Sequence, residues 1–425
     1  LRYLSARNMK DAVDPPSAAT ASIFAATKKF VYLRALRVVV ANNGNVNRRS
    51  FLVVVVVAAS LAGAALFGVR AQSRPDTLPA ELSDKEFWSL ISEYSEPDGF
   101  FRSDNLVSNE RTFQEVIPEL KKHALPNGVY LGVGPDQNFT YIAALKPRLA
   151  FIVDIRRGNL DQQLFYKAMI EMSADRIDFL SRLFARPKPE ALVENASGLP
   201  AATLFDAFLD IDPDPIFFRR NLTDVEKWLT DRHGFALTPD DLRGIEYVAN
   251  AFFQEGPDLR YSFPSPRLAR VFPTYADLQK TDDGTGTSYA YLANEETFRE
   301  LKAFEAKNLL VPVIGDFAGP KALRSVGNWI ASHGGVANYL YTSNVEQYLF
   351  QGDAFRRYYA SVSTLPLAEQ STFIRSYFDR GFYYPPGVIM PDLHSVQLLD
   401  PVQGLLKAFR ADEIHGYQDV IARSH

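Results

Sequence analysis

The chain has 425 residues, with 46 basic against 50 acidic side chains, 47% apolar residues and no cysteine. The apolar share suits a folded core and excludes a disordered or collagen-like polymer, while the length accommodates two or three domains or one elaborated α/β domain. The lack of cysteine excludes disulfides, thiolate nucleophiles, cysteine-ligated zinc and iron–sulfur clusters.

Residues 1–45 are basic and alanine-rich without an amphipathic repeat, and are expected to be a disordered leader or sequence upstream of a true start at Val46. Residues 46–71 read as a signal peptide or membrane anchor. Arg48 and Arg49 stand directly before residues 51–69, a 19-residue run without a charge. The order Asn47-Arg48-Arg49-Ser50-Phe51-Leu52 resembles a twin-arginine export signal, and Val69-Arg70-Ala71 has the small-x-small form of a cleavage site after Ala71. A retained anchor is the alternative, because nineteen residues at about 1.5 Å each approach the ~30 Å hydrocarbon core. Both readings put the remaining chain outside the cytoplasm, periplasmic or secreted in one case and facing outward from the membrane in the other. Without residues 1–71 the chain keeps 36 basic and 48 acidic residues, a net charge near −12. That charge argues against nucleic acid and anionic lipid as partners and leaves a small-molecule ligand.

Residues 80–425 alternate between strand and helix patterns. Ser83 and Glu86 form a capping box, and Phe87, Leu90, Ile91 and Tyr94 continue it as an amphipathic helix. A helix is expected over 113–123, a strand over 128–131, a glycine-rich turn over 132–138, a helix over 139–145 and a strand over 149–153 ending at Asp154. A helix over 160–172 completes the signature of a parallel βαβ unit. Residues 175–280 are expected to be a helical insertion. Strands are then expected over 288–292, 309–314, 336–341 and 358–362, with helices from Asn294 to about 307, from Pro320 to about 334 and over 367–378. The fold class predicted is α/β: a doubly wound, mostly parallel, Rossmann-like sheet carrying a helical insertion.

In such sheets ligands bind outside the carboxyl ends of the strands, at the point where strand order reverses. The residues expected there are Gly132, Gly134, Asp136 and Asn138 after the first strand, Asp154 after the second, Asp316 and Phe317 after a later one, and Asn344 after the next. Gly132 and Gly134 let the backbone approach a ligand. Asp154 lies 22 residues after Gly132, where a carboxylate accepts hydrogen bonds from both hydroxyls of a ribose. Glu110, in Ser108-Asn109-Glu110, is expected either to cover the pocket or to cap the 113–123 segment.

The pattern over residues 126–157 resembles motif I, and the acid that follows it, of class I S-adenosylmethionine-dependent methyltransferases. Tyr130 stands where many of those enzymes have an acid, and Asp136 where they have a third glycine. The strings SDNLVSNE (103–110), YLGVGPDQNFTYIAALKPRLAFIVDIRRGN (130–159) and NLLVPVIGDFAGPKALRSVG (308–327) resemble a bacterial family of uncharacterised proteins described as methyltransferase-like. The resemblance implies S-adenosylmethionine as cofactor, Asp154 on its ribose, the Gly132–Gly134 turn under its methionine part, and Asp316 near the transferred methyl. An extracytoplasmic binding protein that kept the fold without the reaction is the alternative.

Gln137 occupies the place of the last glycine in a dinucleotide fingerprint, although Arg156 and Arg157 keep a 2′-phosphate ligand open. The six histidines form no HxH or HxxxH pair, and neither a G-x-S-x-G elbow nor a GxxxxGK[ST] loop occurs. Asp210, Asp212 and Asp214 lack EF-hand register and read as an acidic turn. The tyrosine pairs 358–359 and 383–384 read as packing.

Overall fold

The structure is a computed structural model that describes residues 77–192, 198–262, 270–378 and 395–424. The leader, the run 51–69, the cleavage position at Ala71 and the pair 383–384 lie outside those residues. Among the described residues no helix is long and apolar enough to cross a membrane.

Six strands form one sheet: β1 (Gly128–Gly132), β2 (Leu149–Asp154), β3 (Leu310–Ile314), β4 (Val336–Ser343), β5 (Thr372–Phe378) and β6 (Ser395–Pro401). Their spatial order is β3-β2-β1-β4-β5-β6. All neighbours run parallel except β6, which is antiparallel to β5. Helices cover the faces, so β1, β2 and β3 are buried along their whole length and read as continuous apolar runs. Pro312 is tolerated because β3 is the outermost strand on its side. The chain at Ser95 and Glu96 closes that edge: the Ile314 amide donates to Ser95 Oγ at 3.0 Å and the Glu96 amide to the Ile314 carbonyl at 2.8 Å.

The capping box forms as expected, starting the helix Asp84–Tyr94. Between β2 and β3 the chain runs through the helices Arg157–Met172, Arg176–Phe184, Ala201–Leu209, Pro215–Lys227, Pro239–Glu255, Tyr275–Gln279 and Glu295–Ala306. Asp214 accepts from the amides of Ile216 and Phe217, so the last acid of the 210–214 turn is a helix cap.

Four expectations need correction. Residues 358–362 belong to the helix Ala354–Val362, where Phe355, Tyr358, Tyr359 and Val362 recur at helical spacing and are buried. Residues 372–378 of the expected helix 367–378 form β5, whose Arg375 hides the strand pattern because it is a buried cation. Its guanidinium is held by Glu346 and by Asp400 at 3.2 Å. Residues 288–290 are irregular and 291–292 a turn, since the Tyr289 and Tyr291 amides donate to the side chains of Gln114 and Thr140 and not to a neighbouring strand. The expected helix 113–123 shrinks to the short helix Ile117–Leu120 and one 3-10 turn, Lys121–His123, with Pro118 at the helix start.

A buried polar cluster ties the first helix to the helical layer. His233 bonds Asp84 at 2.6 Å and Glu171 at 2.7 Å, and Lys167 Nζ donates to Glu171 at 2.7 Å. Burial opposes ionisation of Glu171, yet the bonds from His233 and Lys167 bring it down to about 2. Glu305 lies in the same cluster, and burial pushes its carboxyl up to about 8. Unfolded glutamate titrates near 4.5, so the native state holds an extra proton between that value and about 8. Stability therefore falls as pH rises through this interval. Glu305→Gln is expected to flatten that fall, which melting temperatures of both proteins from pH 5 to 9 will measure.

Candidate functional site

Strand order reverses between β1 and β4, which are neighbours although two strands and most of the helices separate them in sequence. The loops that leave their carboxyl ends turn to opposite sides and open a crevice. A cavity of about 330 Å³ occupies it. Its walls come from the turn after β1 (Val133, Gly134, Pro135), the end of β2 (Asp154, Ile155, Arg156), the loop after β3 (Asp316, Phe317) and the end of β4 with the short helix beyond it (Tyr341, Ser343, Asn344, Tyr348). The segment 100–110 and Tyr261 complete it.

The turn after β1 is built by its own side chains. Asn138 Nδ2 donates to the carbonyls of Val133 at 2.9 Å and Pro135 at 2.7 Å, while Asn159 and Gln163 donate to the Gly134 carbonyl at 2.8 and 3.0 Å. These bonds draw the carbonyls into the protein. Gly134 has φ +81° and a Cβ built on it meets nothing within 4 Å, so its missing side chain faces open space at the cavity. Gly132 has another task. A Cβ there would lie 2.0 Å from Asn138 Oδ1, so Gly132 makes room for the side chain that fastens the turn.

Gly132, Asp136 and Asn138 therefore support the turn from behind and do not line the cavity. The Asp136 carboxylate points into the core, accepting from Tyr291 at 3.2 Å and Gln279 at 3.1 Å. Burial pushes it up to about 7 against the effect of the Tyr291 bond.

Gly134, Asp154, Asp316, Phe317, Asn344 and Glu110 do converge on the cavity. Asp154 is already engaged: Oδ1 accepts from the Arg156 amide at 2.9 Å and Nε at 3.2 Å, and Oδ2 accepts from Nη2 at 3.2 Å. Arg156 also donates to the Asp104 carbonyl. Arg157 pairs with Asp241 and is not part of the lining. At the next strand end, Asp316 Oδ1 accepts from the Ala318 amide at 2.9 Å. Glu96 accepts from the amides of Asp316, Lys321 and Ala322, so a carboxylate of the chain itself fills the anion position at the start of the helix Ala322–Ser332.

Glu110 is the deepest of these residues, with 1% of its surface exposed. Oε2 accepts from Gln137 Nε2 at 2.7 Å, Tyr341 OH at 3.0 Å and Gln397 Nε2 at 3.0 Å, and Oε1 accepts from Ser343 Oγ. Each amide is oriented in turn by a hydroxyl of the same segment, Ser108 on Gln137 and Thr112 on Gln397. The alternative role expected for Glu110, a helix cap, is not what these bonds describe. Sequence reasoning missed Tyr341, Ser343, Tyr348 and Tyr261. The first two follow from the alternation of β4 once its end is placed beside β1; the last gives no local signal.

Gly132→Ala is expected to cost about 1–3 kcal/mol in denaturant unfolding, through contacts with Asn138 Oδ1 and the Tyr130 ring. Adding Asn138→Ala removes the closer of the two, so the double variant should lose less than the two single losses combined.

Residues 105–203 and 255–408, more than half of the chain, match the family model described as "Domain of unknown function (DUF7790)". The matched stretches carry all six strands and the cavity lining from Asn105 onward. The unmatched stretch between them holds the helix Pro215–Lys227 and all but the last residue of Pro239–Glu255. No curated protein matches the chain. The chain belongs to the DUF7790 family.

Proposed function

We propose that the cavity binds an adenosyl ligand and that the protein is an S-adenosylmethionine-dependent methyltransferase-like enzyme. The observation that carries this reading is the meeting of Gly134, Asp154, Asp316, Phe317 and Asn344 on one cavity at the reversal of strand order. The fit is supported at the open position left by Gly134, which a side chain would fill. Charge supports it as well. Glu110, Asp154 and Asp316 line the cavity against Arg156, and Arg156 is spent on Asp154. Such a lining repels the phosphates of a dinucleotide and suits a sulfonium.

S-adenosylmethionine, when bound, supplies an electrophilic methyl group. The protein's part is positional, and positioning alone accounts for a large share of such a barrier. Asp154 would take the ribose hydroxyls, Gly134 would admit the ligand backbone, and Asp316 would orient the acceptor. The helices absent from the family match fit an insertion between β2 and β3, and residues 51–69 fit an export signal or anchor that puts this domain outside the cytoplasm.

One observation favours the second reading, a non-catalytic binding protein. The Arg156 fork stands on Asp154 where ribose hydroxyls would bind, so adenosyl binding requires Arg156 to release that carboxylate. Calorimetry with S-adenosylmethionine and S-adenosylhomocysteine separates the two. The enzyme reading expects measurable affinity in the wild type, a loss of at least about tenfold in Asp154→Asn, and no loss in Arg156→Met, which frees the carboxylate. No affinity in either the wild type or Arg156→Met leaves the binding-protein reading.

A further inference from the structure

Glu110 enters the adenosyl reading only as part of an acidic lining, with no ligand group assigned to it. It is a buried carboxylate on the lining, and all four of its partners are neutral: two amides, a phenol and a serine hydroxyl. Among the described residues no lysine, arginine or histidine forms an ion pair with it. Several other buried carboxylates do hold a cation, among them Glu346 and Asp400 on Arg375, Glu295 on Arg176, Glu171 on Lys167 and His233, and Asp154 on Arg156; Asp136, also held by neutral donors, faces the core and not the cavity.

The hydrogen bonds around Glu110 also have a direction. Ser108 and Thr112 occupy the amide oxygens of Gln137 and Gln397, which leaves both amides presenting N–H to Glu110. The group therefore faces donors from both amides, the arrangement of an acceptor-only carboxylate. Neutral donors solvate a buried charge without cancelling it. Tyr341, Phe317, Phe101 and Tyr261 add aromatic rings to the lining, while the Tyr348 ring already has the Arg102 guanidinium over it.

We propose that Glu110 is the counter-charge for an organic cation, whose ammonium or sulfonium centre sits against this carboxylate with its apolar part among the rings. The inference rests on the cavity being the ligand site, as proposed above, and not on the ligand being an adenosyl compound. Glu110 acts here as a binding residue, and the polar framework of Ser343, Gln137 and Gln397 positions it.

Glu110→Gln tests the charge with little change of shape. Its amide oxygen can accept from Gln137, Tyr341 and Gln397 while its amide nitrogen donates to Ser343 Oγ, so every bond remains available and the variant should melt cooperatively. Two probe pairs are titrated by calorimetry into wild type and variant. The first is choline against 3,3-dimethylbutan-1-ol, its neutral carbon isostere. The second is S-adenosylmethionine against S-adenosylhomocysteine, which keeps the ammonium and lacks the sulfonium. Wild type is expected to bind choline at least about tenfold more tightly than the alcohol, and Glu110→Gln to erase that preference. In the second pair, an equal loss for both compounds in the variant places the ammonium at Glu110, and a loss for S-adenosylmethionine alone places the sulfonium there. Choline preference without adenosyl binding overturns the adenosyl reading and keeps this one. Equal response of the wild type to choline and the alcohol, including no response to either, overturns the inference, as does a preference that survives Glu110→Gln.

Discussion

Asn138 fastens the turn after β1, and the cavity is placed by that fastening. Its side chain takes the carbonyls of Val133 and Pro135 while Tyr130 OH donates to its oxygen at 2.8 Å. Asn159 and Gln163, from the helix after β2, take the Gly134 carbonyl. Three side chains thus turn one stretch of backbone inward and leave its glycine facing open space. β4 lies directly beside this turn, and its last residues reach Glu110 from the other side.

Two kinds of carboxylate meet in the crevice. Asp154 is neutralised by a guanidinium and is released only if that pair opens; Glu110 is held by neutral donors and lines the cavity with no protein cation paired to it. Removing a partner from a buried pair costs about 3–5 kcal/mol, so an Asp154 that binds ligand must be offered something comparable in exchange. Glu110 needs no such exchange. A ligand cation gains attraction there without displacing a protein cation first, which is why the charge distribution says more about ligand class than the ribose analogy does.

The first half of the sheet was legible because its strands are continuous apolar runs bounded by glycine, proline or an acid, and β1, β2 and β3 stand where those runs predict. β4 also stands where its run predicts, but the last two strands were not legible. β5 carries Arg375 and Ser376 at buried positions, and β6 carries Gln397 and Asp400, so their polarity reads as surface until the ion pairs that bury it are known. Conversely, the tyrosines at 358 and 359 have high strand propensity, but their helix is decided by packing of Tyr358 against Phe317 and of Tyr359 against Phe350 and Phe409. At the site, Gly134, Asp154, Asp316 and Asn344 could be placed because strand ends are predictable. The roles of Gly132, Asp136 and Asn138 could not, since the same turn presents some residues to the cavity and others to the core.

The crevice between β1 and β4 is proposed as the site of a cationic, adenosyl-bearing ligand. The most direct measurement is a crystal structure of the protein grown with saturating S-adenosylmethionine. The expected result is the ligand in the cavity, ribose on Asp154 with Arg156 swung away, and a positively charged centre within about 4 Å of the Glu110 carboxylate. An empty cavity with the Asp154–Arg156 pair intact, or a ligand bound elsewhere on the protein, would contradict it.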